Sequence, residues 1–289
     1  MTRLLLIGAN GQVGWELRRT LAPLGVVQAV DVPDIDLAQP DATRALVRAA
    51  RPDLIVNAAA YTAVDQAERE PDLARAVNAV APGVLAEEAA RLGAGIVHYS
   101  TDFVFDGGQR APYGEADEPR PLSVYGRTKL EGDRAVQAAG APHLILRVAW
   151  VYGLRGKNFL LTMRRLARER GAVRVVNDQV GCPTWARSIA EATAGALAQV
   201  LGPRPRFGLR EVAGLYHCAS GGATSWWGFA RALLPASVPV HPISTADYPT
   251  PARRPAFSAL DCARLERTFG LRLPAWEEAL RQALASEGA

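Results

Sequence analysis

Short apolar runs recur along the first half of the chain, and each stops at glycine, a carboxylate or a small polar residue. Leu4 to Ile7, Val26 to Val30, Asp53 to Ala60, Gly95 to Phe105 and His143 to Val148 read as strands. The runs are continuously apolar rather than alternating, which is the pattern of parallel strands covered on both faces. Between them lie segments with helical periodicity: the stretch after Gly14 through Leu21, Thr43 to Arg51, Asp72 to Leu92, and the segment holding Tyr125 and Lys129. Pro82 should kink or split the third of these. Strand and helix therefore alternate without a break over residues 1–150, which predicts a doubly wound α/β parallel sheet of the Rossmann type.

The texture changes after Trp150. Asn158 to Arg170 is an amphipathic, Arg-rich helix, Val173 to Val176 a strand, and residues 178–184 a loop before the helix Arg187 to Val200. Leu215 to Ser220 reads as a strand and Ser225 to Leu234 as a helix, with Trp226 and Trp227 expected in the core. A Pro- and Arg-rich segment spans Thr250 to Leu260, and Trp276 starts a terminal helix. The expected division is a dinucleotide-binding domain over 1–150 and a mixed region over 151–289. The latter would complete the sheet and form a smaller, interleaved substrate domain.

Composition narrows the function. The chain has 289 residues, of which 49% are hydrophobic and 21% charged, an ordinary globular balance. The formal charge of +4 comes from scattered Arg, which suits an anionic small substrate and does not predict a nucleic-acid surface. Cys182, Cys218 and Cys262 lie far apart, and His98, His143, His217 and His241 are dispersed, so neither a disulfide framework nor a metal site is indicated. No signal peptide and no apolar run of membrane-spanning length is seen, which makes the cytoplasm the expected compartment.

Two stretches carry chemistry. Gly8, Gly11 and Gly14 follow the first strand and open a helix. Glycines at this spacing allow a tight turn, close approach to a pyrophosphate and close helix packing, with the phosphates on the helix N-terminus. Asp31, at the end of the second strand, stands where an acid would bind an adenine ribose. The second stretch is Tyr125 and Lys129, one helical turn apart on one face. Only two lysines occur in the chain, Lys129 and Lys157, against 31 arginines, so lysine at this place is notable. An ammonium beside a phenol should favour the phenolate and lower the Tyr pKa, preparing it to exchange a proton with a carbonyl oxygen. Thr101, at the carboxyl end of the fourth strand, would orient that oxygen.

The motifs Ser100 to Gly107, Tyr125 to Lys129, Arg147 to Gly153, Asn158-Phe159, Asp178 to Thr184 and Arg254 to Ser258 appear in order. Together they closely resemble the dTDP-4-dehydrorhamnose reductase family of extended short-chain dehydrogenases/reductases, nearly end to end. The resemblance implies reduction of the C4 ketone of a dTDP-sugar with NADH or NADPH, by a monomer or homodimer. It implies cofactor contacts from Gly11, Gln12 and Val13 under the pyrophosphate and from Asp31, Asp36 and Leu37 near the adenosine. Ala60, Tyr61, Thr62, Tyr99 and Lys129 would line the nicotinamide side. Thr101, Asp102, Val104 and Trp150 would face the sugar nucleotide, with Asn158, Gln179 and Arg254 beside them; for Arg254 a surface salt bridge is the competing expectation. Phe103 departs from the family's usual Tyr, and Cys182 from its Ala or Ser. Two rivals stay open. One is a dehydratase or epimerase of the same superfamily; a dehydratase would need a second carboxyl beside Thr101, where Asp102 is followed by Phe103. A non-catalytic regulatory subunit of the methionine adenosyltransferase type would not need Thr101, Tyr125 and Lys129 intact.

Overall fold

The computed structural model describes residues 1–288. Six parallel strands form its centre: β1 (Arg3–Ile7), β2 (Val26–Val30), β3 (Leu54–Asn57), β4 (Gly95–Thr101), β5 (His143–Val148) and β6 (Gly214–His217), in spatial order β6-β5-β4-β3-β1-β2. Residues 4–7 of β1 and all of β3 and β4 are buried, as the unbroken apolar runs require. The chain reverses its direction of travel between β1 and β3, so the crevice beyond the carboxyl ends of these strands is the place for a ligand. The expected strand Asp53 to Ala60 ends at Asn57, and Ala58 to Ala60 continue irregularly along that crevice.

Two apolar layers cover the sheet. On one face, α1 (Gln12–Thr20) packs beside the helix Ala186–Leu201, with Leu17, Leu21, Ile189 and Leu197 in the core. On the other, Val47, Leu85, Ala89 and Val136 bring three helices onto Leu5, Ile55 and Ile145. The long helical stretch is divided where Pro82 demands it. Pro71–Arg75 and Ala81–Leu92 are α-helical, and Ala76–Val80 between them widens into a π turn. Proline lacks the N–H of a regular turn, and the wider turn takes up the mismatch. From the second half, Gly214–His217 joins the central sheet as β6. A separate core around Tyr152, Leu160, Val173, Trp185, Phe229 and Trp276 packs beneath a parallel pair, Val173–Val176 with Val240–Ile243. Among the described residues no helix is long and apolar enough to cross a membrane.

Candidate active site

A cavity of about 810 Å³ runs along the carboxyl ends of β1 to β5. It begins at the turn after β1. Here a Cβ on Gly14 would lie 1.9 Å from the carbonyl oxygen of Gly8, so only glycine lets α1 come this close to the turn. No side chain caps α1, which leaves the amides of its first turn for a ligand. Gly8, Gly11, Gln12 and Val13 line the cavity, whereas Gly14 acts behind it. Asp31 also lines it, with Oδ2 accepting the Asn10 N–H at 2.7 Å and Oδ1 its neighbour's, Val32 N–H, at 2.8 Å. Asp36 and Leu37 complete this end, together with Lys157, a cation the sequence did not place here.

At the other end stand Thr101, Asp102, Tyr125 and Lys129. Their meeting has a local cause. The helix α2 (Val124–Ala138, the one that carries Tyr125) starts at Ser123, whose hydroxyl accepts the Gly126 N–H at 3.1 Å. A Cβ on Gly126 would sit 2.2 Å from the Phe103 carbonyl oxygen, so glycine lets the helix rest directly on the turn that leaves β4. Tyr125 is thereby set edge-on to Phe103, with ring centroids 5.8 Å apart, and beside Thr101.

The electrostatics correct one expectation. Lys129 does not reach the phenol. Its Nζ donates to the Tyr99 carbonyl at 2.6 Å and lies 3.4 Å from His98 Nε2. Burial pushes the Tyr125 phenol up to about 12, with the Thr101 hydrogen bond working the other way. Loss of solvent costs the phenolate more than its neighbours return, so Tyr125 is a held proton rather than a ready base. Burial likewise lowers Lys129 to about 8, and it raises Asp102 to about 7 against hydrogen bonds from Ser258 at 2.5 Å and Thr101 at 3.2 Å.

Other residues from the sequence reading are placed differently. Ala60 and Thr62 line the cavity, but Tyr61 does not; its hydroxyl donates to Glu70. The Tyr99 side chain points into the core and bonds Thr193 at 2.7 Å, while the residue also borders the cavity. Val104 is fully buried in a core with Phe105 and Tyr113 and does not reach the cavity. Asn158 spends its polar atoms internally. Its Oδ1 caps the helix Phe159–Arg170 and its Nδ2 holds Gln12 at 2.9 Å, so it fastens a loop over the glycine turn. Gln179 bonds Thr245 and lines a second cavity of about 990 Å³ instead. Arg254 lies at both cavities, yet its fork is taken by Asp65, at 3.0 and 2.8 Å, as the salt-bridge alternative expects.

Trp150 does line the cavity. Its φ of +44° turns the chain out of the sheet, and its indole stacks on that of Trp226 with centroids 3.4 Å apart and planes 2° from parallel. Trp226 is therefore no plain core residue. It joins Phe159 in an aromatic wall shared by both cavities. The sequence offered no periodic signal for this, since an apolar helix face does not say which cavity it borders. Ser258 was legible only as the last residue of a motif.

Comparison with known proteins gives the family of the chain. A family model described as the RmlD substrate binding domain matches residues 1–288. The dTDP-4-dehydrorhamnose reductase of Burkholderia thailandensis is 48% identical over 96% of this chain and 96% of its own. A dTDP-4-dehydrorhamnose reductase from Clostridium acetobutylicum superposes with a TM-score of 0.91 at 37% identity, covering 99% of this chain and 100% of its own. One from Bacillus anthracis, solved in complex with NADP, gives 0.89 at 33%, covering 99% of each chain. With nearly its whole length matched, the chain belongs to the RmlD substrate binding domain family, that of the dTDP-4-dehydrorhamnose reductases.

Proposed function

We propose that the chain reduces the C4 ketone of dTDP-4-dehydro-β-L-rhamnose with NADH or NADPH to give dTDP-β-L-rhamnose. One observation carries the reading: Thr101, Tyr125 and Lys129 stand together at one end of a cavity whose other end is an uncapped helix behind a glycine turn. The residues present fit a dinucleotide. Gly11, Gln12 and Val13 would hold its pyrophosphate, Asp31, Asp36 and Leu37 its adenosine, and Ala60, Thr62 and Tyr99 would border its nicotinamide half. A reduced nicotinamide, when bound, supplies hydride.

The chain's own residues handle the proton. Tyr125, protonated throughout the neutral range, gives its proton to the carbonyl oxygen as negative charge develops there. Thr101 has one hydroxyl proton, now donated to Asp102; turned toward the cavity it orients the same oxygen. Lys129 keeps a positive charge close by. Trp150 and Trp226 offer an indole wall to the sugar, and the adjoining cavity past Phe159 and Arg254 has room for the nucleotide part. We place the reaction in the cytoplasm, carried out by a monomer or homodimer.

A dehydratase would need an acid and base pair at the reacting carbons. Among the described residues lining the reaction end, Asp102 is the one carboxyl; Asp31 and Asp36 lie at the adenosine end. A regulatory subunit without catalysis would have no use for the Thr101–Tyr125 contact. The test is loss of reduced-nicotinamide absorbance with authentic dTDP-4-dehydro-β-L-rhamnose. Folded protein that turns over this substrate with neither cofactor would overturn the proposal.

A further inference from the structure

Behind Lys129, on the side away from the cavity, lies a polar cluster that the proposed reaction does not use. His98, Asp133 and Arg147 are 0, 1 and 3% exposed and come from β4, α2 and β5. Asn57, at the end of β3, orders it. Asn57 Oδ1 accepts the Ala59 N–H at 3.3 Å, which turns the amide Nδ2 to His98 Nδ1 at 3.2 Å. Nδ1 therefore accepts, and the imidazole proton sits on Nε2. Nε2 has Lys129 Nζ at 3.4 Å and Asp133 Oδ1 at 3.9 Å. An N–H cannot accept from an ammonium, and Asp133 Oδ1 lies beyond hydrogen-bond distance and makes no hydrogen bond, so the carboxylate acts on imidazole and ammonium through its charge. The other oxygen, Oδ2, accepts Ser100 Oγ at 2.7 Å and lies 3.5 Å from Arg147 Nε.

The charges point the same way. Lys129 and Arg147 are both buried cations, and Asp133, 3.5 Å from Arg147 and one helical turn from Lys129, is the carboxylate that acts on both. Facing Lys129 are Asp133 and Tyr125 from its own helix, His98 and the Tyr99 carbonyl from β4, and Arg147 on β5 beyond Asp133; Asp102 faces Tyr125 instead. Burial raises the carboxyl of Asp133, while Arg147, Lys129 and Ser100 hold it down. A protonated Asp133 would leave Lys129 in a dry site without its carboxylate and Arg147 with Glu115 alone, the costlier arrangement. Burial and the charge of Lys129 keep His98 neutral, so the imidazole cannot take over that part.

We propose that Asp133 and His98 are positioning residues for Lys129. Asp133 supplies the counter-charge that keeps the ammonium protonated, and His98, its tautomer fixed by Asn57, sets the spacing between carboxylate and ammonium. The inference deepens the reductase reading, but its deciding measurement, the titration of Lys129 itself, needs no substrate, so the two can fail separately.

The chain's two lysines make the test direct. Protein labelled with ε-¹³C lysine gives two side-chain signals, and Lys157→Arg assigns them. Lys129 of the wild type is expected to remain an ammonium through pH 7. Asp133→Asn should move its titration down by about one pH unit or more, a tenfold change in its proton equilibrium. Asp133→Glu, which restores the charge one methylene away, should recover most of that shift, and His98→Gln should show a smaller one. The alkaline limb of kcat/KM should move with the NMR titration, which a general loss of stability would not produce. An unmoved Lys129 in folded Asp133→Asn protein overturns the proposal. So does a wild-type Lys129 already neutral at pH 7, and that result stands even if the Asp133 variants do not fold.

Discussion

Tyr125→Phe removes one hydroxyl and keeps the ring that packs edge-on against Phe103, so the fold and the cofactor end of the cavity should survive it. A positioned general acid contributes about 10²–10⁴-fold, or about 2.7–5.4 kcal/mol at 1.36 kcal/mol per decade. The structure narrows the range. With the phenol at about 12, the wild-type donor is fully loaded at any working pH. Its nearest substitute is Asp102, whose carboxyl at about 7 loses its proton as pH rises through neutrality. The variant should therefore lose about 10²-fold in kcat at pH 6 and about 10³-fold at pH 8, its residual rate falling as Asp102 ionises. In the reverse direction the wild type needs the phenolate, a fraction of about 10⁻⁵ at pH 7 for a phenol at this value, so oxidation should climb steeply with pH. Single-turnover absorbance at saturating cofactor measures both directions, and cofactor titration checks that the site is intact. A Phe variant within about threefold of wild-type kcat would show that another group gives the proton. An equal loss at pH 6 and pH 8 would remove Asp102 from the account.

Gly14→Ala should weaken cofactor binding about tenfold and lower the Tm, because overpacking costs about 1–3 kcal/mol and the obstacle is the Gly8 backbone; an unchanged Kd and Tm would refute the close approach. Trp226→Ala should raise KM for the sugar nucleotide about tenfold and leave cofactor Kd within about twofold, since it strips the partner from Trp150; an unmoved KM would return Trp226 to the core. Wild type should use NADH at least as well as NADPH, because the Asp31 carboxylate suits a ribose 2′-OH and repels a 2′-phosphate. Asp31→Ala should weaken both cofactors by freeing Asn10 and shift the kcat/KM ratio toward NADPH by about tenfold; an unshifted ratio would mean Lys157 or another cation governs the choice.

What the sequence made legible has a common physical basis. A buried parallel strand must be apolar along its length, so the apolar runs named β1 to β5, and the residues just past their ends fell at the crevice by geometry. Thr101, Asp31 and the glycine turn were found this way. Gly14 and Gly126 add a second kind of signal, where one missing Cβ permits a backbone contact. Val104 and Tyr61 stand beside such positions but point elsewhere, because one residue along a turn redirects the side chain. Neighbourhood in sequence was a poor guide to them.

The pair at Tyr125 and Lys129 shows where local spacing stops being informative. A separation of four fixes a shared helix face, but the head of Lys129 is placed by a carbonyl on β4, and the carboxylate one turn further along, Asp133, lies 3.5 Å from an arginine of β5. The same holds for the lid of the cavity. Gln12 meets Asn158 across 146 positions, and Asp65 takes the Arg254 fork across 189. Such contacts leave no periodic trace, because each depends on two distant segments meeting at one place. They also divide the work of the site. Short-range geometry presents the groups that would touch substrate, whereas long-range pairs decide their charge and hold the loops that enclose them. A family motif can therefore be intact while the pKa of its tyrosine is raised, since the motif records the presenting residues and burial sets the proton.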